Sequence, residues 1–452
     1  MRTKCVLVVV FSLTLALYNA LSAQTPLAFS LKQAQEYAFE HNFDLRNTAI
    51  DVQIAAKEVK KNTAIGLPQI SGGIDYMDNF VIPTSVIPNF LAFLDTTGNA
   101  PKYIDVQFGV RYNLTASLNA TQLVYSGQYL VGLQTAKAYL ATVKQRLIRD
   151  QMDVRDIVAE AYIAYLVVEE STRILDSTLI TIDQMCSEAR KVFDAGLIED
   201  IDVDQLDLNR ANLQASLLNL QSQRNIAFNY LKYVMGIPEG QQITCTDNLD
   251  FFLNSLHRDY LVNQPFDINY NIDYALLKKQ EYLVSMQYKL SKTAYQPSLI
   301  AFLGLSTNAY RESWNFIDTD GQWYGASNWG LSLSIPIWSS GQRKYAVDQA
   351  RLNLAKIKVV EEKTTVALNL QVETVRNDFV NSYNVFMNNK KSLETAKKIY
   401  DKTIEKYRLG VSSSTDLNQR YNQFLQSESN YIQSILLLVR NQIKLAKLLE
   451  RV

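Results

Sequence analysis

A run of like charge stands out in the sequence: a series of acids that meets no base before Arg210. It comprises five acids within nine residues: Glu199, Asp200, Asp202, Asp204 and Asp207. Carboxylates concentrated at a constriction favour cations and disfavour anions, which is one chemistry that such a run supports. The other is local. Two Asp-x-x-Gln segments, at 202–205 and 416–419, have the spacing of an N-cap and capping box, and acids suit the positive end of a helix. Both interpretations stay open.

The residue types that enzymes and metal sites need are scarce. The chain has two histidines, His41 and His257, and three cysteines. It shows no Ser-His-Asp spacing, phosphate-binding loop or cluster of metal ligands. Lys+Arg and Asp+Glu balance at 45 each, so the overall basic charge that favours nucleic acid is missing. The sequence therefore predicts a protein that is not an enzyme, holds no metal or cofactor, and does not bind nucleic acid.

The N-terminus has the organisation of a secretory signal peptide. Two basic residues precede an apolar run at 5–17, and small residues before Gln24 offer a cleavage site. The run is too short to span a bilayer comfortably. We therefore expect 1–23 to be removed, with a buried N-terminal helix as the alternative. The mature chain would keep Cys186 and Cys245, read as packed thiols, and has no later apolar run long enough for a transmembrane helix.

Glycine and proline are few, at 16 and 9 residues, and they are clustered. Long stretches contain neither: 27–65, 133–195, 197–235, 266–296, 342–409 and 411–452. In the last two, apolar residues recur every three or four positions, a narrow seam typical of helices packed side by side. The first seam consists of Leu368, Val372, Val375, Phe379, Tyr383, Phe386, Leu393, Ala396, Tyr400, Ile404 and Tyr407, with one seven-residue gap at Lys390. Glu428 and Gln442 interrupt the second seam.

The chain also repeats itself. Gly127 precedes Gly196 by the same 69 residues that separate Gly341 from Gly410. Upstream, Pro68 and Pro297 occupy matching places, but the first copy holds 15 extra residues between its proline and its glycine, in or near 81–101. Two copies of one long unit explain these spacings.

Between proline and glycine the apolar period changes to two. Residues 104–118 alternate apolar and polar over eight apolar positions, which predicts one long strand, and 329–337 repeat the pattern. Shorter strands are expected after Pro68 and Pro297. Each copy therefore holds one hairpin, giving four strands.

All four tryptophans fall near the second hairpin: Trp314, Trp323, Trp329 and Trp338. Aromatic residues beside alternating strands suggest the interfacial girdle of an outer-membrane barrel, with a soluble sandwich as the alternative. Four strands cannot close a barrel, and an open sheet in lipid leaves unsatisfied edges. The membrane interpretation therefore requires an oligomer, and three copies would supply twelve strands.

These features resemble the TolC family of outer-membrane efflux proteins. The resemblance rests on Ser30–Ala38 (SLKQAQEYA), the two prolines, Ser334–Arg343 (SIPIWSSGQR), the two turn glycines and Leu231–Pro238 (LKYVMGIP). It implies a mainly α fold with a small membrane β part, in which a homotrimer builds a twelve-stranded β-barrel and a long α-helical barrel. It also implies an outer-membrane location with a large periplasmic part, and a periplasmic adaptor protein and an inner-membrane efflux pump as partners.

The predicted domains follow the repeat. A first repeat at 24–238 contains a helix, a β-hairpin at about 68–120 and a long helical hairpin. An equatorial linker at 239–268 precedes a second repeat at 269–452, with its β-hairpin at about 297–338. Pro68, Gly127, Pro297 and Gly341 are predicted helix–strand junctions, and Gly196 and Gly410 are predicted helix turns.

The resemblance also implies a gate at the second turn. Family members narrow the pore there with two aspartates one helical turn apart, and the matching positions are Asp416 and Gln419. An arginine that latches the closed state in those members corresponds to Ser412, whereas Tyr407 matches a latch tyrosine. We therefore expect pore selectivity to depend more on Glu199, Asp200 and Asp202.

The predicted function is the exit duct of a tripartite efflux pump or type I secretion system. A passive outer-membrane porin is one alternative, although a barrel alone would leave the long helices unexplained. A structural periplasmic coiled-coil protein is another, although it would lack the alternating strands. Drugs, metals and polypeptides all remain open as substrates.

Overall fold

The computed structural model of the chain describes residues 27–90, 101–254, 258–318 and 320–450. The predicted signal peptide and His257 lie outside these ranges, as does part of the predicted insertion, 91–100.

Helices dominate the described residues, as predicted. The strands are β1 Leu27–Phe29, β2 Gln69–Asp78, β3 Thr84–Pro88, β4 Tyr103–Gln107, β5 Tyr112–Ser126, β6 Ile243–Cys245, β7 Ser298–Arg311 and β8 Tyr324–Ser334. The helices are α1 Leu31–His41, α2 Phe43–Ala64, α3 Gly127–Asp194, α4 Asp200–Met235, α5 Leu249–Asn254, α6 Arg258–Asn263, α7 Ile272–Lys292, α8 Gln342–Arg408 and α9 Ser414–Leu449. No helix within the described ranges is both long and apolar enough to cross a membrane.

The chain folds into two compact units, and each unit contains segments from both predicted repeats. The first, the helical unit, contains residues up to Gln53, Thr142–Lys279 and the chain from Lys358 onward. The second, the sheet unit, contains Ile54–Ala141 and Gln280–Ile357. The boundaries of the predicted tandem repeat remain a prediction.

The sheet unit is built on an antiparallel sheet with the order β2-β5-β7-β8. The two predicted hairpins meet through β5 and β7, where Leu118 lies opposite Leu305. The alternation places apolar residues from all four strands on one face, and this face is open. Trp329 is 80% exposed and Ile74 is 76% exposed.

The predicted single strand over 104–118 is wrong. The chain breaks between β4 and β5, where Gly109 has φ +139°. Strand β4 pairs with β3 in a separate two-stranded sheet, with Ile104 opposite Ile87. The alternation continues across the break, so the sequence pattern could not show that its two halves pair with different partners.

The core of the helical unit consists of three apolar clusters. The first joins α1, α3 and α4 around Tyr162 and Leu231. The second joins α3, α8 and α9 around Phe379 and Leu438. The third joins both helical hairpins, α3–α4 and α8–α9, around Leu206 and Tyr421. Of the eleven seam residues of α8 named above, eight are buried, and Tyr383, Leu393 and Tyr407 are half-buried, which agrees with the predicted period.

A parallel pair of short strands, β1 and β6, is a feature that the sequence did not predict. The hydroxyl of Tyr162 donates to Phe29 O (2.9 Å) and accepts from Asp247 N (3.3 Å), which attaches both strands to α3. Strand β6 and helices α5 and α6 occupy the predicted equatorial linker. Cys186 and Cys245 are both free thiols, and burial raises the pKa of each.

The C-terminus of α4 packs directly on the corner between α1 and α2. Gly236 has φ +73°, and a Cβ added to it would lie 2.2 Å from the carbonyl oxygen of His41. Asn42 at the corner donates to Val234 O at 2.8 Å. Only a residue without a side chain allows this approach of two backbones.

Gly236→Ala should destabilise the protein more than Gly240→Ala. Both glycines have positive φ, but nothing lies within 4 Å of a Cβ at Gly240. The control therefore costs about 1–2 kcal/mol for its backbone conformation, and Gly236→Ala adds about 1–3 kcal/mol because the α1–α2 corner must move. Melting temperatures from circular dichroism of the detergent-solubilised protein measure the difference. Equal losses would show that the close approach carries no energy.

Candidate functional site

The two helical hairpins turn through the same backbone motif. Gly196 lies between α3 and α4 with φ +75°, and Gly410 lies between α8 and α9 with φ +71°. In the first turn Leu197 N donates to Val192 O (3.1 Å), and in the second Val411 N donates to Lys406 O (2.9 Å). This six-to-one bond across a left-handed glycine is the Schellman ending of a helix.

The predicted capping roles of Asp202 and Asp416 are wrong. Each is the third residue of its helix, and the N-cap positions belong to Glu199 and Ser413. The Ser413 hydroxyl accepts from Asp416 N at 3.1 Å, whereas Glu199 makes no side-chain cap bond. Because both helices begin earlier than the Asp-x-x-Gln spacing suggested, the two aspartates lie in the first turn, where only their charge favours the helix dipole.

The acidic run of the first turn divides into open and paired carboxylates. Glu199, Asp200 and Asp204 are exposed, and Asp202 is half-buried. Asp207 forms ion pairs with Arg190 of α3 (2.6 Å) and Arg210 (3.2 Å). The carboxylates of the run that form no ion pair with a described base are therefore mainly the N-terminal ones, from Glu199 to Asp204.

The second turn presents less free charge. The Asp416 carboxylate accepts a hydrogen bond from the Ser412 hydroxyl at 2.8 Å and lies 3.3 Å from Arg420 Nε. Gln419 is exposed and neutral. Arg420 was missed in the sequence, although its spacing of four residues from Asp416 is the signal of an ion pair on a helix.

A cavity of about 600 Å³ lies between the ends of the two hairpins. Its lining includes Asp202, Glu188 and Leu197 from the first hairpin, and Tyr407 and Ser412 from the second. Burial raises the pKa of the Tyr407 hydroxyl, and the negative charge of Asp202 raises it further. Tyr407 of the second hairpin and Asp202 of the first therefore line the same cavity.

An ion pair also joins the hairpins beside this cavity. Arg408 Nε lies 3.2 Å from a carboxylate oxygen of Glu188, and both side chains are about half exposed. Such a pair contributes little free energy in water. The association of the two ends therefore depends mainly on the apolar cluster around Leu206 and Tyr421.

The four predicted junction residues lie where helices and strands meet. Pro68 stands between α2 and β2, and Pro297 directly precedes β7. Gly127 begins α3 immediately after β5, and Gly341, with φ +85°, directly precedes α8.

Among the described residues, no group of three or more His, Cys, Asp or Glu side chains is placed to hold a metal ion.

Comparison with known proteins gives concordant matches. Residues 282–450 match the family described as "Outer membrane efflux protein". Outer membrane protein TolC of Salmonella enteritidis is 23% identical over 390 residues, which cover 84% of this chain and 72% of that protein. The structure of CusC aligns with a TM-score of 0.69 at 17% identity, over 93% of this chain and 92% of that chain. The Campylobacter jejuni CmeC outer membrane channel aligns with a TM-score of 0.68 at 15% identity, over 93% and 85%. These structures share the fold.

Ser413→Ala should loosen the first turn of α9, whereas Glu199→Ala should leave the first turn of α4 nearly unchanged. The serine caps Asp416 N, but Glu199 makes no side-chain cap bond. Loss of a serine cap costs about 0.5–2 kcal/mol, so the Asp416 amide should exchange about 2- to 30-fold faster. Amide hydrogen exchange read by mass spectrometry measures both sites. If both variants accelerate amide exchange equally, Ser413 does not act as a helix cap that Glu199 lacks.

Proposed function

Because this chain belongs to the outer membrane efflux protein family, we propose that three copies assemble into the exit duct of a larger export machine. The observation that carries the proposal is the four-stranded sheet. Its apolar face is uncovered, and its outer strands, β2 and β8, each have one strand neighbour in this sheet.

Membership in this family makes the chain a channel protein rather than an enzyme. Its location is the outer membrane of a Gram-negative bacterium, with a periplasmic part. The predicted family and location are thereby confirmed. The number of copies, the partners and the substrate belong to the proposal.

The sheet supports a trimer through its edges. In lipid, the N–H and C=O groups along β2 and β8 would have no water to bond, and each unpaired group costs several kcal/mol. Joining β8 of one copy to β2 of the next satisfies both edges. Three copies give a closed barrel of twelve strands, with Trp329 and Ile74 facing lipid.

The helical hairpins support the same assembly. Helix α4 exposes a series of large apolar side chains, among them Leu208, Leu218 and Ile226, which are 54%, 67% and 66% exposed. Exposed apolar area of this extent marks a protein interface. Neighbouring copies around a threefold axis would cover it, and six hairpins would then form an α-helical barrel.

The hairpin turns support docking of a periplasmic adaptor protein and, through it, an inner-membrane pump. Leu197, Leu409 and Val411 are 75%, 78% and 74% exposed at the two turns. Apolar side chains at such tips are suited to bury against another protein. An efflux pump or a type I secretion system would both fit, and the exported substrate, whether drug, metal or polypeptide, would be selected by the pump.

The alternatives account for fewer of these features. A passive porin needs the sheet but not two helical hairpins with exposed apolar turns. A structural coiled-coil protein needs the hairpins but not an apolar sheet face.

Cross-linking in cells tests the assembly. We expect the mature protein in the outer-membrane fraction, and a bifunctional cross-linker should shift it to the mass of three chains. Mass spectrometry of the same material should identify an adaptor and a pump. Recovery in soluble periplasm would overturn the duct, while a membrane-bound trimer without such partners would favour the porin.

The duct should prefer cations because the first hairpin turn carries several acids that form no ion pair within the described part of the chain. Tripled around the axis, Glu199, Asp200 and Asp202 form a ring of carboxylates, whereas Asp416 is engaged by Ser412 and Arg420 and Gln419 is neutral. Neutralising the three acids, as E199Q, D200N and D202N together, should move the K⁺/Cl⁻ permeability ratio in single-channel recordings towards unity.

Three exposed acids outside the turns provide the matched control. Replacing Asp51, Glu362 and Glu394 by their amides removes the same total charge and should leave selectivity close to that of the wild type. An equal change in both triple variants would assign the preference to net charge rather than to the first turn.

A further inference from the structure

The carboxyl group of Glu428 lies inside the helical unit. The residue is 3% exposed, on the same buried face of α9 as Phe424 and Ile435. It occupies a position that the seam would otherwise fill with an apolar side chain. A carboxylate in such a place is strongly disfavoured unless it is paired.

Glu428 stands where two of the apolar clusters end. On one side the cluster around Phe379 includes Val167 and Ile435. On the other, the cluster around Tyr421 includes Leu175 and Phe424. The gap between the clusters therefore falls at Glu428 on α9 and between Val167 and Leu175 on α3.

The same gap on α3 holds two buried hydroxyl residues, Ser171 and Thr172. Their hydroxyl groups donate to Val167 O and Val168 O, both at 2.8 Å. With their hydrogens used inside α3, these oxygens are left as acceptors. Acceptors suit a protonated carboxyl group, which donates, and do not suit a carboxylate.

The charged and titratable groups around this layer leave Glu428 without an ion-pair partner among the described residues. Glu428 Oε1 and the Tyr421 hydroxyl, both on α9, have no hydrogen-bond partner within the described ranges. On α8, the charge of Lys397 acts on Glu428, and Tyr400 packs against Tyr421. On the first hairpin the charges pair with one another: Arg173 with Glu170, and Arg224 with Glu169.

Burial raises the pKa of Glu428 to about 7, and the positive charge of Lys397 only partly opposes the shift. The acid therefore holds its proton in the packed state at pH values where an exposed glutamate has lost it. The packed state is favoured fully below about pH 4.5, loses stability as the pH rises to about 7, and changes no further above that.

We propose that Glu428 is a proton-binding site that makes the packing of α9 against α8 and α3 tighten as the pH falls below neutrality. The site depends on the packing of these helices and not on the proposed duct function. It would hold even if the protein were a porin.

Hydrogen exchange across pH tests the proposal on the full-length protein in detergent. After correction for intrinsic rates, protection of the α9 amides around Glu428 should fall by up to about tenfold per pH unit between pH 4.5 and 7. In E428Q, whose amide stays neutral, protection should not change over this range and should exceed that of the wild type above pH 7. E394Q, an exposed acid of α8, should follow the wild type.

Infrared spectroscopy across pH detects the protonated carboxyl group of Glu428 directly, without depending on a change in stability. The wild type and E394Q should show a protonated carboxyl band near neutral pH, and E428Q should lack it. The proposal is overturned if E428Q keeps the pH dependence of exchange, or if the band is absent from the wild type at pH 6.

Discussion

The constraint on which the structure depends is that an open sheet of four strands with one apolar face cannot stand alone in lipid. Its hydrogen-bonding edges at β2 and β8 need partners, and its apolar face needs a solvent other than water. Both needs are met together if copies of the chain close the sheet in a membrane. Any symmetry that closes the sheet would also apply to the helices of each copy, so the exposed apolar side chains of α4 would lie between copies in the proposed assembly.

Periodicity was enough to predict elements that present one regular apolar face. The seam of α8 and the alternation of the sheet strands follow from residue spacing, because a helix or strand presents its faces at a fixed period, although β5 begins at Tyr112 rather than at residue 104. What periodicity could not predict is pairing. Strands β4 and β5 share one unbroken alternation yet pair with different strands, and the three-residue strands β1 and β6 are too short to carry a pattern.

The candidate site shows the same division. The acidic run is plain in the sequence, and so are the glycines at both turns. That Arg190 neutralises Asp207 could not be predicted, because the pair forms only once α3 and α4 are folded against each other. The capping error had a different cause. Ser413 offers a hydroxyl three residues before Asp416, so the helix begins at the earlier residue with a good cap.

Glu428 also bears on how two long antiparallel helices find their register. A uniform apolar seam packs almost equally well after a slip of one heptad, because each knob finds another hole. A buried acid reduces that equivalence, because a slip would move it from the gap between the clusters around Phe379 and Tyr421 into one of them. The penalty for a wrong register is then the cost of burying an unpaired carboxyl group in an apolar layer, which is several times the cost of a lost methyl contact. The residue that weakens the seam would therefore also favour one alignment of α9 with α3.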